Sequence, residues 1–195
     1  QAVKANGNSK GAGGTIVGGD GAGGGGLGAG GDIFVEQGGS LTIDGGSLTG
    51  GSVTGGAGGG NGAGNGDALG SGIFLQGDEF ITLRSGAGQT TLIADVIADE
   101  TAESPNLGSA GSGGVVIRAA SGGVVELDAQ NTYTGGTRLF SGTLDLAAPG
   151  AAGTGAIVFD GNATLQIDNA AFASGGTGIH TFIRNAVFDF SVGDV

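Results

Sequence analysis

The sequence predicts an all-β fold built as a β-solenoid, in which short parallel strands stack in successive coils. Three observations carry that prediction. Residues 30–43 (GGDIFVEQGGSLTI) align without gaps on residues 70–83 (GSGIFLQGDEFITL), placing Ile33, Phe34 and Val35 on Ile73, Phe74 and Leu75, and Leu41, Thr42 and Ile43 on Ile81, Thr82 and Leu83. The apolar–polar–apolar triplets Val125-Glu126-Leu127, Leu144-Asp145-Leu146 and Leu165-Gln166-Ile167 recur at about the length of one solenoid coil, roughly twenty residues. Glycine supplies 50 of the 195 residues and proline only two. The glycine keeps no every-third-residue register along the chain, which excludes collagen. It is interrupted by β-branched blocks such as Ile33-Phe34-Val35 and Val115-Val116-Ile117, which can bury surface and so exclude global disorder.

Each element follows from these patterns. Residues 1–29 read as a polar, glycine-rich N-terminal segment, and residues 30–195 as the solenoid, with both termini reading as cuts in a longer protein. Glycine turns the chain sharply between strands, where φ is often positive. The tracts 18–31 and 55–72 are expected to be outward excursions from oversized coils, because they have almost no apolar residues to fill a core. The alternative is that they form a poorly packed coil of their own. Alternation with period two places Ile33, Val35, Leu41, Ile43, Ile73, Leu75, Ile81, Leu83, Val125, Leu127, Leu144, Leu146, Leu165 and Ile167 inward. The same alternation sends Glu126, Asp145 and Gln166 outward. Residues 94–114 carry Asp95, Asp99, Glu100 and Glu103 close together, with Pro105 to break a strand, and read as a solvated acidic loop.

Charge and composition exclude several functions. The net charge of −12 opposes nucleic acid and anionic membrane surfaces, both of which are bound through Lys and Arg. The six basic residues, Lys4, Lys10, Arg84, Arg118, Arg138 and Arg184, are scattered along the sequence. With no Cys, the chain can form neither a disulfide nor a thiolate metal site. No stretch is long and apolar enough for a membrane-spanning helix, and no charged-then-apolar leader follows Gln1.

Candidate chemistry is sparse, and the sequence predicts no catalytic, cofactor-binding or metal-binding residue. His180, the single histidine, is required for any Ser-His-Asp triad, yet it sits in an alternating strand and no Ser lies in a G-x-S-x-G turn. Asp128, Asp145 and Asp168 recur at coil-like spacing and could stack as the paired carboxylates of a polysaccharide-cleaving β-helix. They read instead as strand-end and turn residues, since no Lys or Arg cluster accompanies them to hold a sugar acid. Leu27–Val35, with Asp32, partly matches a calcium-binding nonapeptide but lacks its first Gly and a neighbouring copy. The G-x-G-x-x-G matches sit between no strand and helix.

One set of motifs is more specific. Val96-Ile97-Ala98-Asp99, Gly113-Gly114-Val115-Val116, Asn131-Thr132-Tyr133-Thr134-Gly135-Gly136-Thr137 and Ser141-Gly142-Thr143-Leu144-Asp145-Leu146, in that order, resemble the autotransporter-associated β-strand repeat. The usual first G-T-L-x-L strand is replaced by Gly123-Val124-Val125-Glu126-Leu127. The likeness covers roughly residues 70–167 and extends more loosely back to about residue 19. It implies a right-handed, single-stranded parallel β-helix with glycine-rich excursion loops. It also implies a passenger segment of a type V secreted protein, at the Gram-negative cell surface or released, usually followed by an outer-membrane barrel.

The expected function is therefore structural: a stalk or adhesive scaffold, not an enzyme. The alternatives are the non-catalytic β-helix of a passenger whose protease or lipase domain lies elsewhere, and a polysaccharide-cleaving β-helix. No cofactor is expected, and the receptor or glycan partner is left open. Self-association through the solenoid ends is expected, chiefly through the aromatic stretch Phe182–Phe190.

Overall fold

The computed structural model describes residues 23–60, 62–100 and 111–167, together with the backbone of 187–189. Among the described residues there are fourteen strands and no helix. In chain order they are β1 (Gly28–Ala29), β2 (Ile33–Val35), β3 (Thr42–Asp44), β4 (Ser47–Leu48), β5 (Ala68–Leu69), β6 (Ile73–Leu75), β7 (Phe80–Arg84), β8 (Thr90–Ile93), β9 (Ile97–Asp99), β10 (Gly114–Arg118), β11 (Val124–Leu127), β12 (Thr137–Leu146), β13 (Ile157–Ile167) and β14 (Val187–Asp189). Every pairing among them is parallel.

The strands form three sheets, ordered β1-β5, β2-β6-β9 and a nine-stranded sheet running β3-β7-β10-β12-β11-β8-β4, with β13 attached at β12 and β14 at β13. The large sheet curls back on itself at β12. The first part of that strand pairs with β10 and its last part with β11. Between them lies a bulge, where the register shifts around Leu139 and Ser141. Gly142 sits there with φ +76°, a conformation that L side chains resist, and a Cβ on it would overlap the Ala119 methyl. The sequence reads Thr137–Phe140 and Leu144–Leu146 as separate strands, but the bulge lets one strand serve both columns.

The forty-residue alignment is the actual hydrogen-bonding register. Ile33 pairs with Ile73, Phe34 with Phe74 and Val35 with Leu75, and Thr42 and Ile43 pair with Thr82 and Leu83. Farther on, Val125 pairs with Leu144 and Leu144 with Leu165, so the triplets stack in the expected order. Identical or similar side chains thus lie above one another, as with Phe34 stacked on Phe74 at 5.3 Å.

A main core runs along the stack, beside a smaller buried cluster of Leu69, Phe74 and Ala98. Ile73, Leu75, Ile81, Leu83, Val125, Leu127, Leu144 and Leu165 are buried, and each such side chain contributes about 1.5–3 kcal/mol by leaving water. Glu126, Asp145 and Gln166 are only half-buried, on the opposite face of their strands. Ile33, Leu41, Ile43 and Ile167 point inward but stay half-exposed. For the first three the reason is position: β2 and β3 are the edge strands of their sheets, so one side of each ladder is open.

The glycine-rich tracts differ from expectation. They are neither loose excursions nor a sparse coil. Segments 23–31, 51–58 and 63–70 lie against one another and close a ring of backbone hydrogen bonds: Gly25 N to Gly64 O at 2.9 Å, Gly66 N to Gly56 O at 2.9 Å and Gly56 N to Gly26 O at 2.7 Å. Gly25, Gly28, Gly55, Gly58, Ala63 and Gly66 are half-buried and Leu69 is buried. A Cβ on Gly25 would overlap the Gly56 carbonyl oxygen, one on Gly55 that of Gly66, and one on Gly66 that of Gly26. Here backbone packs on backbone, which only glycine permits.

Candidate functional site

The most specific sequence motif folds into a buried brace. β9 stacks on residues 131–134: Thr132 N donates to Ile97 O at 3.0 Å, and Ile97 N donates to Asn131 Oδ1 at 2.7 Å. The other end of the same side chain, Asn131 Nδ2, donates to Ala151 O at 2.6 Å. One buried Asn therefore ties together three successive tiers of the stack. Tyr133 Oη lies 2.6 Å from Thr137 Oγ1, which donates its own proton to Ala152 O at 3.2 Å. A carbonyl cannot donate, so the Tyr133 hydroxyl is the donor to Thr137. Burial pushes the Tyr133 phenol well above its ordinary pKa, and the bond to Thr137 offsets this only in part.

Asp99 completes the brace. It is fully buried and accepts from Thr134 N at 2.6 Å and Thr134 Oγ1 at 2.8 Å. The expected solvated acidic loop is thus corrected at its N-terminal end. Asp99 belongs to strand β9, and Asp95, only 7% exposed, accepts from Gly50 N and Gly51 N at 3.0 Å each. Glu100 Oε2 accepts from Gly77 N at 3.1 Å. These carboxylates satisfy backbone N–H groups of neighbouring tiers, which is why they tolerate burial. Glu103 and Pro105 lie outside the described residues.

Of the carboxylates weighed for catalysis, the two among the described residues, Asp128 and Asp145, do not converge. Asp145 pairs in register with Glu126 and Gln166, and accepts from Gln166 Nε2 at 3.1 Å. Asp128 follows the end of β11, where Leu127 pairs with Leu146, so it is displaced from Asp145 along the ladder. Coil-like spacing in sequence therefore does not stack these two. Asp168 and His180 lie outside the described residues. The Asp32 carboxylate packs against Gly51, and among the described residues no group of three or more His, Asp or Glu is placed to hold a metal ion.

The basic residues behave differently from their scatter in sequence. Arg84, Arg118 and Arg138, the only Lys or Arg among the described residues, are all exposed and share the outward face of β7, β10 and β12. Inward alternation fixes this: Ile81, Leu83, Val115, Ile117, Thr137 and Leu139 are buried, so their neighbours face out. Arg84 follows Leu83, which pairs with Ile117, and therefore lies beside Arg118. The Arg118 guanidinium stands 3.7 Å over the Phe140 ring, and that of Arg138 5.6 Å from the same ring centre. Arg138 Nε pairs with Asp160 Oδ2 at 2.6 Å, a hydrogen bond that raises its pKa further. Phe80 begins the same outward row, its ring over Gly114 and 39% exposed. No sequence signal short of the strand register brings these residues together.

No helix among the described residues is long and apolar enough to cross a membrane, which leaves membrane crossing by strands untouched. Comparison with protein-family models, with curated proteins and with solved structures finds no match to the chain.

Proposed function

We propose that this chain is a structural segment of a secreted or surface-displayed bacterial protein, a right-handed single-stranded parallel β-helix that serves as a stalk or adhesive scaffold. The observation that carries the reading is the inward use of the chain's most specific motif. Asn131, Thr134 and Thr137, with Asp99, direct hydrogen bonds to other tiers of the stack, and Tyr133 braces Thr137 from within the motif. Residues recruited for catalysis would instead present polar atoms to a cleft. The uniformly parallel ladders support a solenoid, since one stacking rule repeated along the chain gives a long body with a continuous core. The placement at the cell surface rests on the resemblance to autotransporter passengers.

Antibody raised against the purified chain tests the surface placement. It should label intact producing cells without permeabilisation, and external protease should remove the signal. Labelling that appears only after the envelope is opened would refute the placement. An experimental structure tests the handedness, and a left-handed winding would refute the right-handed β-helix.

A further inference from the structure

We infer that the outward face of β7, β10 and β12 binds a carboxylate-bearing polysaccharide, a polyuronate. The inference goes beyond the scaffold reading and does not depend on it, because it rests on one face of the sheet.

Charge is the first argument. In a chain of net charge −12, every Lys or Arg among the described residues lies on this face. Asp44, which pairs in register with Arg84, and Asp160, ion-paired to Arg138, border the arginines, while Asp78 and Glu79 precede Phe80 at the far end of the row. The positive charge is therefore confined to the arginine end, where, among the described residues, Arg118 has no carboxylate beside it in register or in an ion pair. A polyanion is repelled elsewhere and attracted here.

Geometry is the second. Stacking on Phe140 at 3.7 Å holds the plane of Arg118, while its exposed N–H edges remain open. A guanidinium held in this way is arranged in advance for two parallel hydrogen bonds to one carboxylate. Arg138 is oriented beside it by Asp160 through Nε, which leaves its other nitrogens for a second acidic group. At the opposite end of the row, Phe80 offers an apolar ring to the C–H face of a sugar. Phe80 pairs with Gly114, four residues before Arg118, so the two lie about 13 Å apart along the strands.

Shape decides the class of polymer. Half-buried Thr82 and Val116 fill the space between, giving a shallow strip across the strands. Compact ligands take concave pockets, whereas a strip suits an extended chain. An acidic peptide would ordinarily add to a sheet edge through its backbone. β7 and β10 are interior strands, flanked on both sides, and offer no free edge.

The test uses the purified chain on immobilised polygalacturonate, on its fully methyl-esterified form and on polyglutamate. Binding to polygalacturonate is expected, weakening as salt rises, with little binding to the uncharged ester or to polyglutamate. Arg118→Ala should weaken it by about tenfold or more, the usual effect of losing a charged hydrogen-bonding partner. Arg118→Lys, which keeps the charge but loses the fork, should also weaken it at unchanged melting temperature, which separates recognition from folding. No binding by the native chain, equal binding to the ester or to polyglutamate, or undiminished binding by both Arg118 variants would overturn the inference. Surface labelling of cells is unaffected by any of these results, so the two readings fail separately.

Discussion

Residues 23–70 and residues 111–167 build the same kind of parallel stack by opposite means. In the first region successive tiers are forty residues apart, and much of each tier is glycine packed on glycine, with Ile33, Leu41 and Ile43 half-exposed. In the second, Thr137 pairs with Ile157 only twenty residues on, and Leu127, Leu139, Leu144 and Ile157 are fully buried. One region holds itself by close backbone approach and a hydrogen-bonded ring, the other by an apolar core closed with buried polar braces. Close approach gains dispersion and hydrogen bonding but removes little apolar surface from water. The second region is therefore expected to be the more stable, and the first to open at lower free energy.

The largest test of that difference is a pair of truncations. Leu127→Ala should cost about 2–5 kcal/mol, and Ile43→Ala roughly half of that or less, because water already reaches part of Ile43. Denaturant melts of both variants measure this, and equal losses would erase the contrast. Next in size is the brace. Asn131→Ala strips the partners from Ile97 N and Ala151 O and should cost about 2–4 kcal/mol in melts, with faster hydrogen exchange in both neighbouring tiers.

The glycine-packed region has its own sharp comparison. Gly25→Ala drives a methyl into the Gly56 carbonyl and should cost about 1–3 kcal/mol, seen as hydrogen exchange confined to the tracts. Gly26→Ala meets nothing within 4 Å and should stay within about 0.5 kcal/mol of the native chain. Similar behaviour of the two would mean that the tracts do not pack as described.

The smallest expected effect concerns pH. Tyr133 is the only tyrosine, so its ionisation can be followed by absorbance without interference. Its folded pKa is raised by burial, whereas an unfolded chain ionises near pH ~10. The neutral phenol's contribution to stability is therefore full below that pH and is lost progressively as pH rises above it. Phenolate absorbance should appear together with loss of β-sheet circular dichroism, and Tyr133→Phe should remove that part of the alkaline destabilisation. Titration near pH 10 with native structure retained would contradict the burial.

Much of the architecture was legible because stacking makes register a property of the sequence. Ile33 over Ile73 and Leu144 over Leu165 were visible as alignments, since a parallel ladder sets like side chains above like. The acidic stretch was misread for a related reason. Asp95 and Asp99 look solvated when only composition is counted, and nothing local reveals the Gly50, Gly51 and Thr134 donors that come from 35 or more residues away. The candidate binding face was hidden in the same way, because Arg84, Arg118 and Arg138 have no common spacing.

By itself the sequence determined the parallel ladders, the strand faces and the period of the stack, because alternation and repetition are written one residue after another. Only the tertiary structure decided that the glycine tracts pack into a body, that the N-T-Y-T-G-G-T motif is an internal brace, and that three scattered arginines share a face. The physical reason is that each of these depends on which tier lies next to which. Tiers 19 to 45 residues apart are brought together by hydrogen bonding between strands, whatever the chain between them contains.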